Sequence, residues 1–436
     1  MGASVQMAGQ RGKVMAAVVG SFSAAIVVAG CGPMLTASAG TGDNKSQATI
    51  SVTPALNART ASVLDPIVVK ADIGILTSVA VTGPEGQIPG TMSADGATWT
   101  SEAGLELPFD TKYDVTAVAI DPEGRAREVN DSFTTVKPAA TPTPGTRYTT
   151  DYVTYGVGMP LVIPFKSAVT NKAEVESKLK LTTSQPVEGA WSWSDDSTIA
   201  TFRPKDFWPV NTHVNLDGHL YGTKLNDTDY AGGNVTLDLD IGDKVTMVVD
   251  PVTLMMTVSR NDQPEKVVPV TIGKAGYETY EGIKVISAKE GTITMKSPPG
   301  DPEYYVADKV EYSIRLTDHG EYLHAAPWAA DAFGTYRYSH GCISMTTENA
   351  AYVWNASKPG DLVWVNGPTG EPWRKDNGIT VWNQTWPEWL SRSATGAKVV
   401  GPQGQISPAP AAAAVPAAPA TTPAAPQAPV AAPAAG

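Results

Sequence analysis

The sequence predicts a mainly β protein in which two tandem β-sandwich domains precede a third, β-rich domain. The chain has 436 residues, too many for a single core at about 100 to 200 residues per domain. Its 40 glycines and 35 prolines far outnumber its 7 phenylalanines, a composition typical of short strands and turns. Apolar and polar residues alternate in stretches such as 67–72 and 113–119, as in strands with one buried face.

The charge balance argues against a nucleic acid partner. The chain carries 32 Lys and Arg against 44 Asp and Glu, a formal net charge of −12. A surface of this sign repels a phosphate backbone, so no nucleic acid is expected among the partners.

The N-terminus has the pattern of an export signal. Arg11 and Lys13 precede an apolar run over residues 14–29, which is shorter than the roughly 20 residues of a membrane span. The small residues directly before Cys31 resemble the bacterial lipobox, which implies cleavage before Cys31 and a diacylglycerol on its sulfur. We therefore expect a lipid-anchored protein on the cell membrane that faces the wall or periplasm. The alternative is an ordinary signal peptide that ends at a cysteine by chance.

Turn signals and linkers divide the rest of the chain. Gly-Pro-Glu-Gly at 83–86 and Asp-Pro-Glu-Gly at 121–124 separate strand-like runs in the first sandwich. In the second, the sequence predicts one helix over 172–180 and a hairpin from 191–194 and 198–202. The expected segments are a signal peptide (1–30), a tether (31–47), the first sandwich (48–137), a Pro/Thr linker (138–145), the second sandwich (146–242), the third domain (243–367), a Trp-rich C-terminal subdomain (368–395) and a Pro/Ala-rich disordered tail (396–436).

Two features of this layout have competing interpretations. The Trp-rich subdomain holds Trp373, Trp382, Trp386 and Trp389, and such clusters either bury apolar area against a neighbouring domain or stack on sugars. Docking against the second sandwich is the favoured interpretation. The tail is interpreted as an extended spacer, with an inert terminus as the alternative.

A metal site is not expected. His213 and His219 would lie on one face of a strand but roughly 20 Å apart. Asp217 alone does not complete a shell of three or four ligands.

The third domain contains the reactive residues. Of the two cysteines in the chain, Cys31 is assigned to lipid, which leaves Cys342 as a single thiol in an exported protein. A thiol with a pKa near 8.5 needs a base to act as a nucleophile, and His319, His324 and His340 are the candidates. His324 is favoured because it lies on a separate element. Gly341 admits a substrate carbonyl and lets the amides of Gly341 and Cys342 point at one oxyanion.

The segment Ser339-His340-Gly341-Cys342 with an upstream His324 resembles the signature of the L,D-transpeptidase catalytic domain. The wider layout is similar to mycobacterial multi-domain members of that family, which have tandem immunoglobulin-like domains. The resemblance implies that Cys342 is the nucleophile and His324 the base. It also implies that the Ala325 carbonyl orients the His324 imidazole and that His340 supports the motif.

The resemblance further assigns residues to the substrate. Met295 falls on a lid strand, and either Tyr304 or Tyr305 donates to the oxyanion. Trp328, Ser339 and Ser344 are also expected to contact substrate. Many members of the family have Asn where this chain has Ser344, and a hydroxyl replaces only one of the amide's hydrogen bonds.

The activity implied by the resemblance is carbapenem-sensitive acyl transfer on peptidoglycan. Cys342 would attack the bond between diaminopimelate and the fourth-position D-Ala of a donor stem, and the amine of an acceptor stem would form a 3→3 cross-link. A monomer without metal or organic cofactor is expected. The alternatives are a cysteine peptidase, an L,D-carboxypeptidase or endopeptidase, on the same stems, and a non-catalytic wall-binding lipoprotein.

Overall fold

The structure is a computed structural model that describes residues 45–408. The predicted signal peptide, the lipid on Cys31, most of the tether and the tail from residue 409 onward lie outside the described residues. Within residues 45–408, no helix has both the length and the apolar character needed to cross a membrane. The mainly β fold that the sequence predicts is confirmed.

The first sandwich consists of two four-stranded sheets around one core. Its strands are β1 (Thr49–Thr53), β2 (Val68–Ile73), β3 (Ile75–Gly83), β4 (Gly86–Gln87), β5 (Gly90–Met92), β6 (Thr98–Ser101), β7 (Lys112–Ile120) and β8 (Ala126–Thr134). The sheet orders are β1-β2-β6-β5 and β4-β3-β7-β8. Every second residue of β7, from Tyr113 to Ala119, is buried, which is the alternation that the sequence shows.

The second sandwich contains the predicted helix and hairpin. Its elements are β9 (Thr154–Tyr155), β10 (Leu161–Pro164), α1 (Lys172–Lys178), β11 (Leu179–Thr183), β12 (Val187–Trp193), β13 (Ile199–Pro204), β14 (Thr212–Gly218) and β15 (Val235–Ile241). Helix α1 ends two residues before the predicted boundary, because Leu179 leaves the helix to begin β11. The core buries the indoles of Trp191, Trp193 and Trp208.

The third domain packs two sheets and a helix around a separate core. Its elements are β16 (Val245–Asp250), β17 (Met255–Arg260), β18 (Gln263–Pro269), β19 (Gly282–Val285), β20 (Ala288–Lys296), β21 (Val306–Arg315), β22 (Tyr322–Ala325), a 3-10 helix (Pro327–Ala332), β23 (Ile343–Met345), α2 (Thr347–Ala356) and β24 (Leu362–Val365). The sheet orders are β18-β17-β16-β24-β19 and β20-β21-β22-β23. Thr346 caps α2, since its side chain accepts a hydrogen bond from the Asn349 amide.

The C-terminal part of the chain returns to the second sandwich. It forms a 3-10 helix (Val381–Asn383), α3 (Trp386–Leu390), β25 (Lys398–Gly401) and β26 (Gly404–Pro408). The second sandwich thus has sheets ordered β10-β13-β12-β25-β26 and β11-β14-β15-β9. The predicted disordered tail from residue 396 is therefore wrong over residues 398–408. The Val399-Val400 pair favours a strand, and β12 offers it an unpaired edge.

The Trp-rich segment docks on the second sandwich, as the favoured interpretation predicted. The Trp389 indole donates to the Ala190 carbonyl at 3.0 Å, and the Ser192 hydroxyl donates to the Trp389 carbonyl at 2.9 Å. The Arg203 guanidinium lies about 5 Å from the ring centroids of three indoles, those of Trp382, Trp386 and Trp389. These aromatic faces are therefore used in packing.

The buried Glu176 carboxylate fastens the C-terminal segment to α1. Its Oε1 accepts from the Trp193 indole and the Ala394 amide, both at 2.8 Å. Its Oε2 accepts from the Thr395 amide at 2.8 Å and from the Thr395 hydroxyl at 2.6 Å. One side chain thus satisfies donors from two parts of the chain that lie far apart in sequence.

We expect Glu176→Ala to destabilise this region by roughly 3 kcal/mol, because several buried donors lose their acceptor. Urea unfolding followed by tryptophan fluorescence measures the loss. Glu174→Ala, on the same helix but more exposed and paired only with Lys178 and Asn171, should cost less than about 1 kcal/mol. Equal losses in the two variants would contradict this role of Glu176.

The predicted Pro/Thr linker lies against the second sandwich. The Ala139 amide donates to the Thr228 carbonyl, and the carbonyls of Ala140 and Pro142 accept from the amides of Tyr230 and Gly232. Proline keeps the linker extended, so its carbonyls can pair along a neighbouring backbone.

Two glycines bring the second sandwich into close contact with the third domain. The amides of Gly156 and Gly158 donate to the carbonyls of Pro359 and Gly360, each at 2.9 Å. A Cβ at Gly156 would stand 2.2 Å from Asp361 Oδ1, so any side chain there would separate the two domains. The third domain is therefore in direct backbone contact with the second sandwich.

Candidate active site

A pair of short parallel strands brings the predicted base and nucleophile together. The register of β22 and β23 places His324 opposite Ser344, and Cys342 directly precedes β23. Gly341 has φ +112°, a left-handed conformation that favours glycine, and this turn directs the chain into the strand. Two motifs that are separate in sequence thus meet at one edge of a sheet.

The Cys342 thiol is buried and protonated. Its Sγ donates to the Gly320 carbonyl at 3.7 Å. Burial raises the pKa of Cys342 to about 12, the Tyr322 backbone N–H opposes this rise, and the charge of Glu321 adds to it. A thiol with this pKa reacts only if a base removes its proton as attack occurs.

The His324 imidazole is neutral and has a defined tautomer. Its Nδ1 lies 2.8 Å from the Ala325 carbonyl oxygen, the contact that the family resemblance implies. A carbonyl only accepts, so Nδ1 carries the hydrogen and Nε2 presents its lone pair. Burial lowers the pKa of His324, although the Ala325 carbonyl favours the charged form. The arrangement suits a general base.

Ser344 contacts the same imidazole directly. Its Oγ lies 3.0 Å from His324 Nε2, and since that nitrogen is the acceptor, the hydroxyl donates. The resemblance predicts that Ser344 contacts the substrate. The structure instead places its hydroxyl on His324 Nε2, the nitrogen that must take the proton of the thiol. The hydroxyl therefore has to turn away from Nε2 or pass the proton along.

His340 is held by aromatic rings and Gly341 by hydrogen bonds. The His340 ring lies 4.5 Å from the Tyr277 ring and 4.8 Å from the Tyr305 ring. Its Nε2 is 3.3 Å from Glu303 Oε2 but makes no hydrogen bond among the described residues. The Gly341 amide donates to Ser339 Oγ at 3.3 Å, and its role toward an oxyanion stays a prediction. The Ser339 hydroxyl is held near the Gly341 amide, because it also donates a hydrogen bond to the Cys342 carbonyl at 2.6 Å.

The β20–β21 hairpin covers the thiol, and its tyrosines differ. Met295, on β20, packs in a small buried cluster with Cys342. Tyr304 is 56% exposed, whereas Tyr305 is half-buried against His340. Burial raises the pKa of Tyr305 to about 12, and the negative charge of the Cys342 thiolate form contributes. Of the two tyrosines, Tyr305 is the one close to the sulfur.

One cavity of about 640 Å³ collects most of the predicted site residues. Trp328 stands at its mouth, with its ring 6.2 Å from the His324 ring. The predicted residues that line the cavity are Met295, Tyr304, Tyr305, His324, Trp328, Ser339, His340, Cys342 and Ser344. Ala325 contributes through its carbonyl, and Gly341 lines a different cavity, on the other side of the turn.

Comparison with known proteins places this geometry in a family. The family described as L,D-transpeptidase catalytic domain matches residues 244–365, which contain the whole cavity. L,D-transpeptidase 2 of Mycobacterium tuberculosis (strain CDC 1551 / Oshkosh) is 30% identical over 336 residues, which cover 76% of this chain and 81% of the relative. The chain belongs to the L,D-transpeptidase family. The fold that the resemblance implied is thereby confirmed.

The chain has three further similarities to known proteins. L,D-transpeptidase 5 of M. tuberculosis (strain H37Rv) is 30% identical over 348 residues, which cover 78% of this chain and 76% of the relative. The family described as bacterial Ig domain matches residues 58–224, across the two sandwiches. A solved structure described as LD transpeptidase LdtMt1 in complex with imipenem is 27% identical and has a TM-score of 0.44. It covers 52% of this chain and all of that one.

Some residues of this L,D-transpeptidase site have no signal in the sequence. Lys274 and Glu303 form an ion pair at the cavity, and Tyr338 lines it. Glu321 and Lys284 are buried beneath the Gly341 turn. Only the glycine before Glu321 hints at a tight turn, and burial of a charged side chain cannot be read from sequence.

The two histidines considered for a metal contact different carboxylates. His213 Nδ1 lies 3.0 Å from Asp240, and His219 Nε2 lies 3.1 Å from Asp217. In the part of the chain that the structure describes, no three His, Cys, Asp or Glu residues are arranged to hold a metal ion.

Proposed function

We propose that this protein is a peptidoglycan L,D-transpeptidase that forms 3→3 cross-links through a thioester on Cys342. One observation carries the proposal: the Cys342 thiol and the neutral His324 imidazole line the same cavity of about 640 Å³. That volume suits a branched peptide stem, and Trp328 and Tyr305 contribute aromatic surface to the cavity wall.

Acylation begins with the thiol. Cys342 Sγ attacks the carbonyl carbon between diaminopimelate and D-Ala, and His324 Nε2 takes the thiol proton as the S–C bond forms. The Tyr305 hydroxyl and the Cys342 backbone N–H are the donors assigned to the oxyanion. The C–N bond then breaks, the imidazolium returns its proton to the departing D-Ala amine, and a thioester remains.

Transfer follows when the side-chain amine of a second stem enters. The neutral amine attacks the thioester carbonyl and gives up a proton to His324, and the C–S bond breaks. The thiolate that leaves takes this proton back, which restores the neutral imidazole and the thiol. A thioester favours this outcome, because an amine is a stronger nucleophile than water once the pocket positions it.

The decisive experiment is an intact mass spectrum of the full chain with a tetrapeptide donor stem. We expect an acyl adduct on Cys342 and loss of D-Ala, and a cross-linked dimer when an acceptor stem is added. Release of tripeptide without dimer would identify a hydrolase. Binding of wall polymer without any adduct would identify a non-catalytic lipoprotein.

We also propose that the protein is anchored to the cell membrane by lipid on Cys31, facing the wall. The export pattern and the small residues before Cys31 support this proposal. Metabolic labelling with a fatty acid should mark the wild type and not Cys31→Ser. Fatty-acid label retained by Cys31→Ser would contradict the lipid anchor on Cys31.

The anchored protein needs a spacer, and the first sandwich is proposed to act as one. Two domains of about 100 residues in series span several nanometres. We expect deletion of residues 48–145 to preserve activity on soluble stems but to reduce 3→3 cross-links in cells, as measured by muropeptide analysis. Unreduced cross-linking would show that this domain serves another role.

A further inference from the structure

A buried ion pair lies directly beneath the Gly341–Cys342 turn. The side chains of Glu321 and Lys284 are only 7% and 2% exposed, and Glu321 Oε2 lies 3.7 Å from Lys284 Nζ. Burial raises the pKa of Glu321 to about 7 and lowers the pKa of Lys284, while each group's attraction to the other acts in the opposite direction. Replacing a buried pair of this kind by apolar residues often costs no stability, so stability alone does not account for it.

Tyr280 holds both members of the pair. Glu321 Oε1 accepts a hydrogen bond from the Tyr280 amide at 2.7 Å, and Lys284 Nζ donates to the Tyr280 carbonyl. Glu321 Oε2 has no hydrogen-bond partner among the described residues. The carboxyl is therefore fixed in place at one oxygen and only loosely paired at the other.

The backbone around Glu321 makes the polar contacts of the thiol. The Gly320 carbonyl accepts from Cys342 Sγ at 3.7 Å, and the Tyr322 backbone N–H is a hydrogen-bond donor to the Cys342 sulfur. The Glu321 side chain also packs behind the turn, since a Cβ on Gly341 would lie 3.7 Å from Glu321 Cγ and 3.8 Å from Oε1. Glu321 thus lies between two groups: the backbone of residues 320–322, which contacts the Cys342 sulfur, and the Gly341 turn that leads into Cys342.

We propose that Glu321 is a positioning residue that fixes residues 320–322 against the Cys342 sulfur and whose charge, partly offset by Lys284, opposes thiolate formation. The inference rests on the proposed role of Cys342 as nucleophile. Its consequence is that the Glu321 charge adds to burial in keeping the thiol protonated until His324 acts on it with a substrate in place. Since the thiolate is the form that oxidants attack, an unpaired cysteine in an exported protein is protected in this way.

Other ionisable groups surround the carboxyl. A cavity of about 310 Å³ beside it is lined by Tyr277, Glu278, Tyr280, His319, His340 and Glu371. All six side chains are present in both wild type and a Glu321 variant, so a difference in pH dependence between the two proteins reports on Glu321.

The test compares charge removal with loss of contacts. In Glu321→Gln the amide oxygen still accepts from Tyr280, so position is kept while charge is lost. Alkylation of Cys342 by iodoacetamide, mapped by mass spectrometry in the full chain, should show its pH midpoint lowered by about one unit. The matched control is Asp361→Asn, because Asp361 is also buried, has an unpartnered oxygen and a pKa raised to about 7, but does not line the thiol cavity. Its midpoint should equal that of wild type.

Glu321→Ala separates positioning from a general structural role. It loses the contacts as well as the charge, so we expect acylation slowed about 10-fold at every pH, with Glu321→Gln restoring the rate. A wild-type midpoint in Glu321→Gln, or equal slowing of acylation in both variants, would overturn the proposal. Circular dichroism and thermal melting check that each variant is folded.

A double variant, Lys284→Met with Glu321→Met, keeps the test informative if the single variants do not fold. Two apolar side chains of similar length fill the site without an unpaired charge. Its alkylation midpoint should also lie below that of wild type, and an unchanged midpoint would count against the inference. Alkylation requires no transpeptidation, so failure of the proposed function would leave this result standing.

Discussion

Replacement of Cys342 by alanine is expected to abolish the covalent adduct that the protein forms with a carbapenem. The β-lactam carbonyl is an activated acyl donor, and Cys342 is the only free thiol in residues 45–408. An intact mass spectrum should show one adduct on the wild type and none on Cys342→Ala. Peptide mapping should place the adduct on the Cys342 sulfur.

The matched control for this experiment is Cys31→Ser, which removes the other cysteine of the sequence. That variant should form the adduct at the wild-type rate. An adduct mapped to a serine, or folded wild-type protein that stays unmodified, would show that Cys342 is not the nucleophile.

Replacement of His324 by alanine should slow acylation by about 10²- to 10⁴-fold, the usual contribution of a general base. The effect should be at the upper end because burial raises the pKa of Cys342 to about 12, so hardly any thiolate forms without help. Stopped-flow fluorescence with a carbapenem measures the rate. His319→Ala is the control, since the His319 side chain is exposed and lies outside the thiol cavity.

Small and equal losses in these two variants would mean that the wrong base was chosen, and His340 would be tested next.

The pH dependence of acylation gives a second check on His324 as the base. A base works only when deprotonated, and burial lowers the pKa of His324 below its usual 6.5. Acylation should therefore persist as pH falls below 6.5 and decline only at more acidic values.

Much of the fold is predictable because strands and turns leave local signals. The alternation in β7 and the hairpin of β12 and β13 follow from residue patterns a few positions long. The β25–β26 hairpin could not be separated from the tail, because its partner is the edge of β12, more than 190 residues earlier in the chain. An unpaired edge exists only once the sandwich has formed.

The residues of the candidate active site likewise divide into those that the sequence predicts and those that only the folded chain brings together. The sequence alone determined the candidate reactive residues and the order of the domains: a lone cysteine after Ser-His-Gly, an upstream histidine, and sandwiches before a β-rich domain. Those are properties of residue types and short spacings. Tertiary structure decided which groups meet, including Tyr305 rather than Tyr304 at the sulfur and Ser344 on His324 Nε2.

Tertiary structure also decided the charge states on which the mechanism depends. The neutral imidazole of His324 and the protonated thiol of Cys342 result from burial, and the fold places Glu321 beside Lys284. Desolvation depends on how completely other parts of the chain cover a group, and residues distant in sequence provide that cover. A sequence names the ionisable groups, but only the folded chain determines how much water each of them retains.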